Sequence, residues 1–268
     1  MRDPGEGMAA DGTIVTGVAR DRVPPAFEPV VTAAVHLLVE VAPAASVYLY
    51  GSVATGQAVP GVSDVDLLTL GVGRADAARV GHELSGRFRD LCRGVGVATG
   101  DPATMTAPGD RAYGDRAFLR HYCVHLAGPD PAASWAAYPA DVRAARGFNG
   151  DIAWHAARWR QALTAGEDAA RIAHRSARKT LLAVAGLVSV HDGTWTTDRR
   201  TGAERYAHIE PPLAAGLGRL LQWSDDPTAV LDIDPRQVRE ELDGTVHHVA
   251  ASFNRTIGAW TPEPAGEQ

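Results

Sequence analysis

The sequence predicts an α/β first half followed by an all-helical second half. Up to about residue 128, short runs of β-branched and aromatic residues, which are typical of strands, alternate with apolar residues at helical spacing. Beyond that point only helical spacing continues, and a stretch rich in proline and glycine, "GPDPAAS" at 128–134, separates the two halves. We therefore expect a flexible leader over residues 1–22, an α/β domain over 23–130 and a helical domain over 135–262.

The first half alternates helices with strands that end at glycine. The first helix has proline at its start, as is common in the first helical turn. The predicted elements are a helix over 24–41, a strand over 46–53, a strand over 63–71, a helix over 75–92, a weak strand over 94–100 and a stronger strand over 118–128. This order predicts a mixed sheet covered by helices.

The second half has the pattern of several helices joined by short loops. Helices are predicted over 151–165, 168–190, 203–223 and 235–260, and the third is broken at Pro211 and Pro212. The loop that follows the second helix is polar, and we expect its Trp195 to be exposed. Trp154 and Trp159 are predicted to lie at the core and rim of the first helix.

Composition places the chain among ordinary cytoplasmic proteins. It has 268 residues, 45% of them hydrophobic, and a net charge of −6, which argues against general nucleic-acid binding. Its N-terminus lacks the apolar core of a signal peptide, and no apolar run is long enough to span a membrane. Cys92 and Cys123 have neither metal-site spacing nor a disulfide framework, so we expect two reduced, buried thiols.

The stretch "YGSVATGQAVPGVSDVDLL" at 50–68 carries the strongest chemical signal. Side chains alternate across a strand, so Asp64 and Asp66 are expected on one face with Val65 on the other. Two carboxylates this close repel each other unless a cation or hydrogen-bond donors neutralise them. Mg²⁺ suits this role, because it binds through one or two carboxylates together with phosphate oxygens.

The glycine and serine before this pair complete the expected site. A Gly51-Ser52 turn that leads into a helix offers backbone N–H groups and a hydroxyl, which are donors for a phosphate chain. Small residues follow in the turn, so that a bulky ligand can approach. Together the two halves predict a triphosphate held by Gly51 and Ser52 and bridged through Mg²⁺ to the two aspartates.

Gly51-Ser52 followed by Ser63-Asp64-Val65-Asp66-Leu67 resembles the signature of the DNA polymerase β-type nucleotidyltransferase superfamily. With a helical second half, the layout is similar to that of bacterial aminoglycoside adenylyltransferases. The resemblance implies an α/β nucleotidyltransferase domain followed by a helical bundle. It also implies that Asp64 and Asp66 are catalytic and bind the metal, and that Gly51, Ser52 and Ser63 bind the nucleotide.

The superfamily also implies a third carboxylate, usually on the next strand of the sheet. The expected strand, "GVGVATGD", has no acidic residue in its interior, and Gly96 occupies a natural place for one. Asp101 is the nearest candidate for this catalytic role, followed by Asp110 and Asp115 in the predicted loop. Asp101 in "TGDP" is alternatively an ordinary turn residue.

The helix predicted over 168–190 carries a cationic stripe. Its members, which fall on one face by helical spacing, are Arg171, His174, Arg175, Arg178 and Lys179. A stripe of this kind is commonly a solvated surface or is neutralised by nearby carboxylates. Basic residues of the helical domain contact the triphosphate in the adenylyltransferases that the chain resembles, and this implies nucleotide binding by Arg175, Arg178 and Lys179.

The combined expectation is transfer of AMP from Mg-ATP to a hydroxyl of a small cationic, aminoglycoside-like acceptor, with release of pyrophosphate. The missing third carboxylate leaves open a catalytically silent nucleotide-binding regulator. Relatives within the superfamily leave open adenylylation of a protein or a tRNA. The expected cofactor is Mg²⁺, with ATP as donor, and the expected partners are a nucleoside triphosphate and a small acceptor.

Overall fold

The structure is a computed structural model that describes residues 3–260, so residues 1, 2, 261 and 262 of the predicted domains lie outside the described part. The described chain forms two compact units. Unit 1 contains residues 3–108 and 115–138, and unit 2 contains residues 109–114 and 139–260. The main division between the units falls at 138/139, and the short segment 109–114 belongs to unit 2.

Unit 1 is built on a four-stranded mixed sheet. Its strands are β3 (Ser46–Tyr50), β4 (Val65–Leu70), β5 (Val95–Gly100) and β6 (Cys123–Ala127), in the order β5-β4-β3-β6. β3 pairs antiparallel with β4 and β6, whereas β4 and β5 run parallel. The mixed sheet predicted from the sequence is confirmed, including the weakly signalled strand β5.

Helices α1 (Glu28–Val41) and α3 (Arg74–Arg87) contribute to the main core of unit 1. Alternate side chains of the strands enter this core, among them Val65 and Leu67 of β4, which are fully buried. Leu68, on the opposite face of the strand, packs with Leu70 in a second, smaller cluster. Asp66 shares the face of Leu68, so the alternation removes its carboxylate from the main core.

Helix α4 (Asp110–Tyr122) differs from the sequence-based expectation. The sequence predicts a strand from residue 118, but the chain stays helical to Tyr122 before β6 begins. The rings of Phe118 and Tyr122 stack with their centroids 5.7 Å apart, a contact that their i,i+4 spacing permits on a helix. Aromatic residues were interpreted as strand formers here, whereas their spacing serves a helix.

The predicted flexible leader also requires correction. Over the described residues 3–22, strands β1 (Gly7–Met8) and β2 (Ile14–Val15) pair antiparallel, and the side chain of Ile14 is buried. The backbone amide of Ile14 donates to the carbonyl of Tyr138 at 2.9 Å, and that of Ala19 donates to Ala54 at 3.1 Å. These contacts hold the segment against unit 1, although its polar composition resembled a linker.

The second half is helical. Its α-helices are α5 (Val142–Asn149), α6 (Ile152–Thr164), α7 (Ala169–Asp192), α8 (Arg199–Ile209), α9 (Ala214–Asp225), α10 (Pro235–Glu241) and α11 (His247–Thr256). The break at Pro211 and Pro212 is confirmed, whereas α5 was missed. A π-helical turn, Leu242–Val246, joins α10 to α11.

Helix α7 is the centre of unit 2, because α5, α6, α8, α9 and α11 all contact it. Residues 180–189 of this helix are buried except for the half-buried Leu182. Asp168 caps its start by accepting from the amides of Ala170 and Arg171, and Gly193 ends it in the left-handed conformation.

Several smaller expectations can be compared with the structure. Trp159 is buried and Trp154 is 57% exposed, as the predicted core and rim require, but Trp195 is buried rather than exposed. Both cysteines are free, and burial raises the pKa of the Cys123 thiol. Within residues 3–260, no helix combines the length and the apolar character needed to cross a membrane.

Candidate functional site

The turn after β3 brings Gly51 against a carboxylate. The short helix α2 (Gly51–Ala54) starts directly at the end of β3, and Gly51 has a φ of +76°, which favours glycine. A Cβ at this position would lie 2.7 Å from Oδ2 of Asp66. The glycine is therefore required both by the backbone conformation and by the approach of Asp66.

Asp66 lies in the middle of the sheet beside this turn. It is the partner of Tyr50 on β3 and of Gly96 on β5 in the strand register. Asp64 precedes β4 by one residue and has the same parity as Asp66, so the common face of the two carboxylates stays a prediction from alternation. The structure brings Gly51 and Asp66 together.

Ser63 and Ser52 have different surroundings. The Ser63 hydroxyl accepts a hydrogen bond from the backbone amide of Val59 at 2.9 Å, and the side chain is buried. Ser63 thereby closes the loop that precedes the aspartates, and its nucleotide-binding role stays a prediction. Ser52 is half-buried and lies next to Gly51 in α2.

Asp64 is already bound by a cation from its own chain. Nε of Arg93 donates to Oδ1 of Asp64 at 3.0 Å, and Nη2 of Arg93 donates to Oδ2, so the pair is bidentate. The hydrogen bonding that Arg93 donates to Asp64 raises the pKa of Arg93, and the negative charges of Asp64 and Asp66 raise it further. Burial, with a smaller contribution from Asp64, raises the pKa of the neighbouring Cys92 thiol.

The place of a third carboxylate is occupied by glycine. Gly96 lies opposite Asp66 in the parallel register, and a Cβ there would be 3.7 Å from Oδ1 of Asp66. A Cβ on Gly94 would similarly be 3.8 Å from Oδ1 of Asp64. Over residues 3–260, no group of three or more histidine, cysteine, aspartate or glutamate side chains has the arrangement of a metal site.

Asp101, the predicted third acid, lies at the other end of β5. Gly96 is the partner of Asp66, whereas Gly100, just before Asp101, is the partner of Leu70. At about 3.3 Å per residue, five residues place Asp101 roughly 16 Å along the strand from Gly96. Its carboxylate instead accepts from the amide of Ala103 and caps a 3-10 helix, as the turn interpretation expected.

Asp110 and Asp115 both lie in helix α4 rather than in the predicted loop, and the role of Asp115 stays a prediction. Asp110 is buried and bound by Arg146, whose Nε donates to Oδ2 at 2.9 Å. This ion pair belongs to unit 2 and gives Asp110 a structural partner.

The cationic stripe of α7 is only partly available to a ligand. Lys179 donates to an oxygen of Asp151 at 2.8 Å and to the carbonyl of Phe148, and Arg171 pairs with Glu167. Arg175 and Arg178 are exposed. The fifth member, His174, is half-buried, with Nδ1 2.9 Å from the carbonyl oxygen of Trp223. The stripe therefore contains two ion-paired members, one histidine bound to the backbone and two exposed arginines.

Unit 2 also contains a cavity of about 850 Å³ between α6 and α7. Its lining includes three aromatic rings and a group of cationic side chains: Trp154, His155, Trp159, Arg158, Arg175 and Lys179. The guanidinium of Arg158 lies 5.2 Å from the centre of the Trp154 ring, and His155 stacks on Trp159 at 5.3 Å. Such a lining suits an anionic ligand that carries a planar ring.

Two of these features escaped the sequence analysis. Arg93 precedes the weak strand β5, and its pairing with Asp64 follows only from the parallel register of β4 and β5. The sequence did contain one indication of this pair. Arg93 is a basic residue just before β5, and β5 is the strand next to the one that follows Asp64. The cavity gave a weaker signal, because its aromatic and cationic residues come from two different helices.

Comparison with known proteins adds one match. Residues 37–91 match the model of a family described as a nucleotidyltransferase domain, which is about a fifth of the chain. The matched segment includes Gly51, Ser52, Asp64 and Asp66 but ends before Arg93 and β5. No curated protein matches the chain. Residues 37–91 are thus similar to a nucleotidyltransferase domain of the polymerase β-like superfamily, which supports nucleotide transfer as the general class of activity.

Proposed function

We propose that the chain transfers a nucleotidyl group from ATP to a hydroxyl of a small acceptor and releases pyrophosphate. The observation that carries this proposal is the close approach of Asp66 to Gly51. A Cβ built at Gly51 would lie 2.7 Å from Oδ2 of Asp66, so a side chain is excluded there. The glycine-serine turn is therefore adjacent to the carboxylate of Asp66, which supports one site formed by both. The family match over the same residues supports nucleotide transfer independently.

The donor set fits one divalent cation bound together with a nucleotide. Asp64 and Asp66 offer carboxylate oxygens on one face, which suits Mg²⁺ when phosphate oxygens complete its coordination. When bound, Mg²⁺ would neutralise phosphate charge and align the reacting oxygens. The two aspartates would hold the ion, and Ser52 with the Gly51 backbone would hold the outer phosphates.

In this reaction the acceptor hydroxyl oxygen bonds to the α-phosphorus, and the bond from that phosphorus to the bridging oxygen breaks. The leaving group is pyrophosphate. Because Gly96 replaces an acid beside Asp66, we propose that the hydroxyl proton leaves to water. Loss of general-base assistance typically slows a reaction about 10²–10⁴-fold, so we expect slow turnover.

For the acceptor we propose a small cationic, aminoglycoside-like molecule. The two-part layout and the net charge of −6 support a cationic acceptor. The cavity in unit 2 does not add to this support, because Arg158 and Arg175 line it, while its Lys179 is paired with Asp151. We propose that this cavity, with Arg175, binds an anionic group. The role of Arg178 in nucleotide binding stays a prediction.

A nucleotide-binding regulator without turnover is the second candidate function. Two observations favour it: glycine stands at the place of the third acid, and Arg93 neutralises Asp64. Release of pyrophosphate in the presence of Mg-ATP and an acceptor separates the two candidates. Nucleotide binding without any release would favour the regulator.

The first test is the thermal shift caused by Mg-bound nucleoside triphosphates in the wild type and in Asp66→Asn. A ligand at a hundred times its Kd stabilises a fold by about 2.7 kcal/mol, which is a shift of a few degrees at this size. We expect the wild type to show this shift with Mg-ATP and Asp66→Asn to lose it. Asp76→Asn is the matched control, because Asp76 makes only an exposed pair with Arg79. Equal shifts in all three proteins, or none in the wild type, would contradict the proposal.

A further inference from the structure

Backbone hydrogen bonds hold Arg93 beside the residues that flank Asp64. The backbone amide of Arg93 donates to the carbonyl of Ser63 at 3.1 Å, and the next carbonyl, of Gly94, accepts from Val65 at 2.9 Å. These two hydrogen bonds begin the parallel pairing of β4 with β5. The Cα of Arg93 therefore stays next to the residues around Asp64, even if the guanidinium binds another group.

The side chains of Arg93 and Asp64 are both accessible to solvent. The Arg93 side chain is 58% exposed, and that of Asp64 is 33% exposed. Their bidentate pair uses one lone pair on each oxygen of Asp64, so a metal ion that binds on the same side of that carboxylate displaces the guanidinium. A pair this exposed is weak, because water screens the charges.

The space next to the pair contains no competing side chain from β5. Gly94 and Gly96 are the β5-side neighbours of Asp64 and Asp66, and glycine leaves both positions open. The backbone hydrogen bond from Arg93 to Ser63 keeps the side chain at this end of the sheet. A guanidinium displaced from Asp64 would remain at the edge of the same site.

We propose that Arg93 is a phosphate-binding residue of this site, which Asp64 holds until a metal-bound nucleotide displaces it. The inference rests on the proposed function. The planar guanidinium donates two parallel hydrogen bonds to a phosphate as readily as to a carboxylate. Metal and nucleotide would thus each favour the other: the metal frees Arg93 for phosphate, and phosphate frees Asp64 for the metal.

The test measures metal and nucleotide binding separately. Mn²⁺ binding without nucleotide is followed by the electron paramagnetic resonance of free Mn²⁺, and ATP binding in EDTA is followed by calorimetry. In Arg93→Gln we expect Mn²⁺ to bind about two- to fivefold more tightly, because an exposed ion pair no longer competes. We expect ATP in EDTA to bind at least fivefold more weakly, and the cooperativity between Mn²⁺ and ATP to disappear.

Two further variants make the result specific. Arg93→Lys keeps the charge but not the bidentate geometry, so its affinities should lie between those of the wild type and Arg93→Gln. Arg89→Gln removes a nearby, largely exposed arginine that pairs only with the exposed Asp90, and it should behave as the wild type. Thermal unfolding of each variant verifies that the fold is retained.

The outcomes separate this inference from the proposed function. Normal nucleotide binding with unchanged Mn²⁺ and ATP affinities in Arg93→Gln would overturn the role of Arg93 and leave the proposed function standing. A wild type that binds no nucleotide, with or without metal, would overturn both. Tighter binding of Mn²⁺ together with weaker binding of ATP in EDTA by Arg93→Gln would support the proposal.

Discussion

Gly51 is required both by its backbone conformation and by the approach of the Asp66 carboxylate. Its positive φ would strain an L-residue, and its missing side chain leaves room for Asp66. Gly61 has the same φ of +76° but nothing within 4 Å of its Cβ position. The chain therefore contains a matched pair of glycines that share the strain and differ in their surroundings.

We expect Gly51→Ala and Gly61→Ala to lower the free energy of unfolding by about 1–2 kcal/mol each, because both force alanine into the left-handed region. Only Gly51→Ala should also displace the Asp66 carboxylate and weaken Mg-ATP binding by tenfold or more. Urea unfolding and calorimetric titration check the two effects. Equal nucleotide affinities in both variants would contradict the placement of Gly51 in the site.

The individual site residues were predictable to different degrees. Gly51, Ser52, Asp64 and Asp66 lie within one short stretch, so spacing alone could group them. Arg93 could not be assigned, because its contact with Asp64 depends on which strands are neighbours. Asp101 was misplaced for a related reason: the sequence predicted its strand but not the register, which puts it at the far end of the sheet.

At the scale of elements, α7 shows how close packing sets the identity of small residues. A Cβ on Gly202 of α8 would lie 2.9 Å from Cα of Ala185 and 3.1 Å from its Cβ. The two helices therefore approach each other at a glycine facing an alanine. Gly218 of α9 is the contrasting case, because nothing lies within 4 Å of its Cβ position.

We expect Gly202→Ala to destabilise the protein by about 1–3 kcal/mol, because the added methyl group must push α8 away from α7. Gly218→Ala should instead stabilise it by about 0.5–1 kcal/mol, since alanine favours an open helical position. Thermal and urea unfolding measure both. A loss of stability in Gly218→Ala equal to that of Gly202→Ala would contradict the close approach as the cause.

Elements with a strong period were predicted well, and elements that depend on tertiary contacts were not. The bounds of α6 and α7 lie within two residues of the prediction, because amphipathic spacing and the Asp168 cap define them. The strand expected from residue 118 became the end of α4, since ring stacking favoured the helix. The leader was interpreted as flexible because its few apolar residues, such as Ile14, gave no period.

At the scale of the whole molecule, the two units contain different kinds of candidate ligand-binding residues. Unit 1 supplies the glycine-serine turn and the carboxylates, whereas unit 2 supplies the cationic, aromatic cavity. Composition predicted this division into an α/β half and a helical half. It could not predict the cavity, whose residues are ordinary helix-surface types in the sequence.

Hydrogen exchange with and without Mg-ATP tests the ligand sites proposed in each unit separately. We expect slower amide exchange at residues 51–56 of unit 1, where backbone N–H groups would bind phosphate. We also expect slower exchange over 171–179 of α7, where Arg175 lies. Exchange in α10, which contributes no proposed ligand, serves as the control. Unchanged rates at residues 51–56 under saturating nucleotide would contradict the proposed phosphate site.

The course of the chain through the two units has a practical consequence for anyone who would express them separately. The division is crossed at 108/109, 114/115 and 138/139, so no single cut yields an intact half. A fragment that starts at residue 139 would lack Asp110, the carboxylate partner of Arg146. A half-protein of this kind would carry an uncompensated, largely buried guanidinium, and a usable second half would need residues 109–114 restored by circular permutation or by supplying them as a peptide.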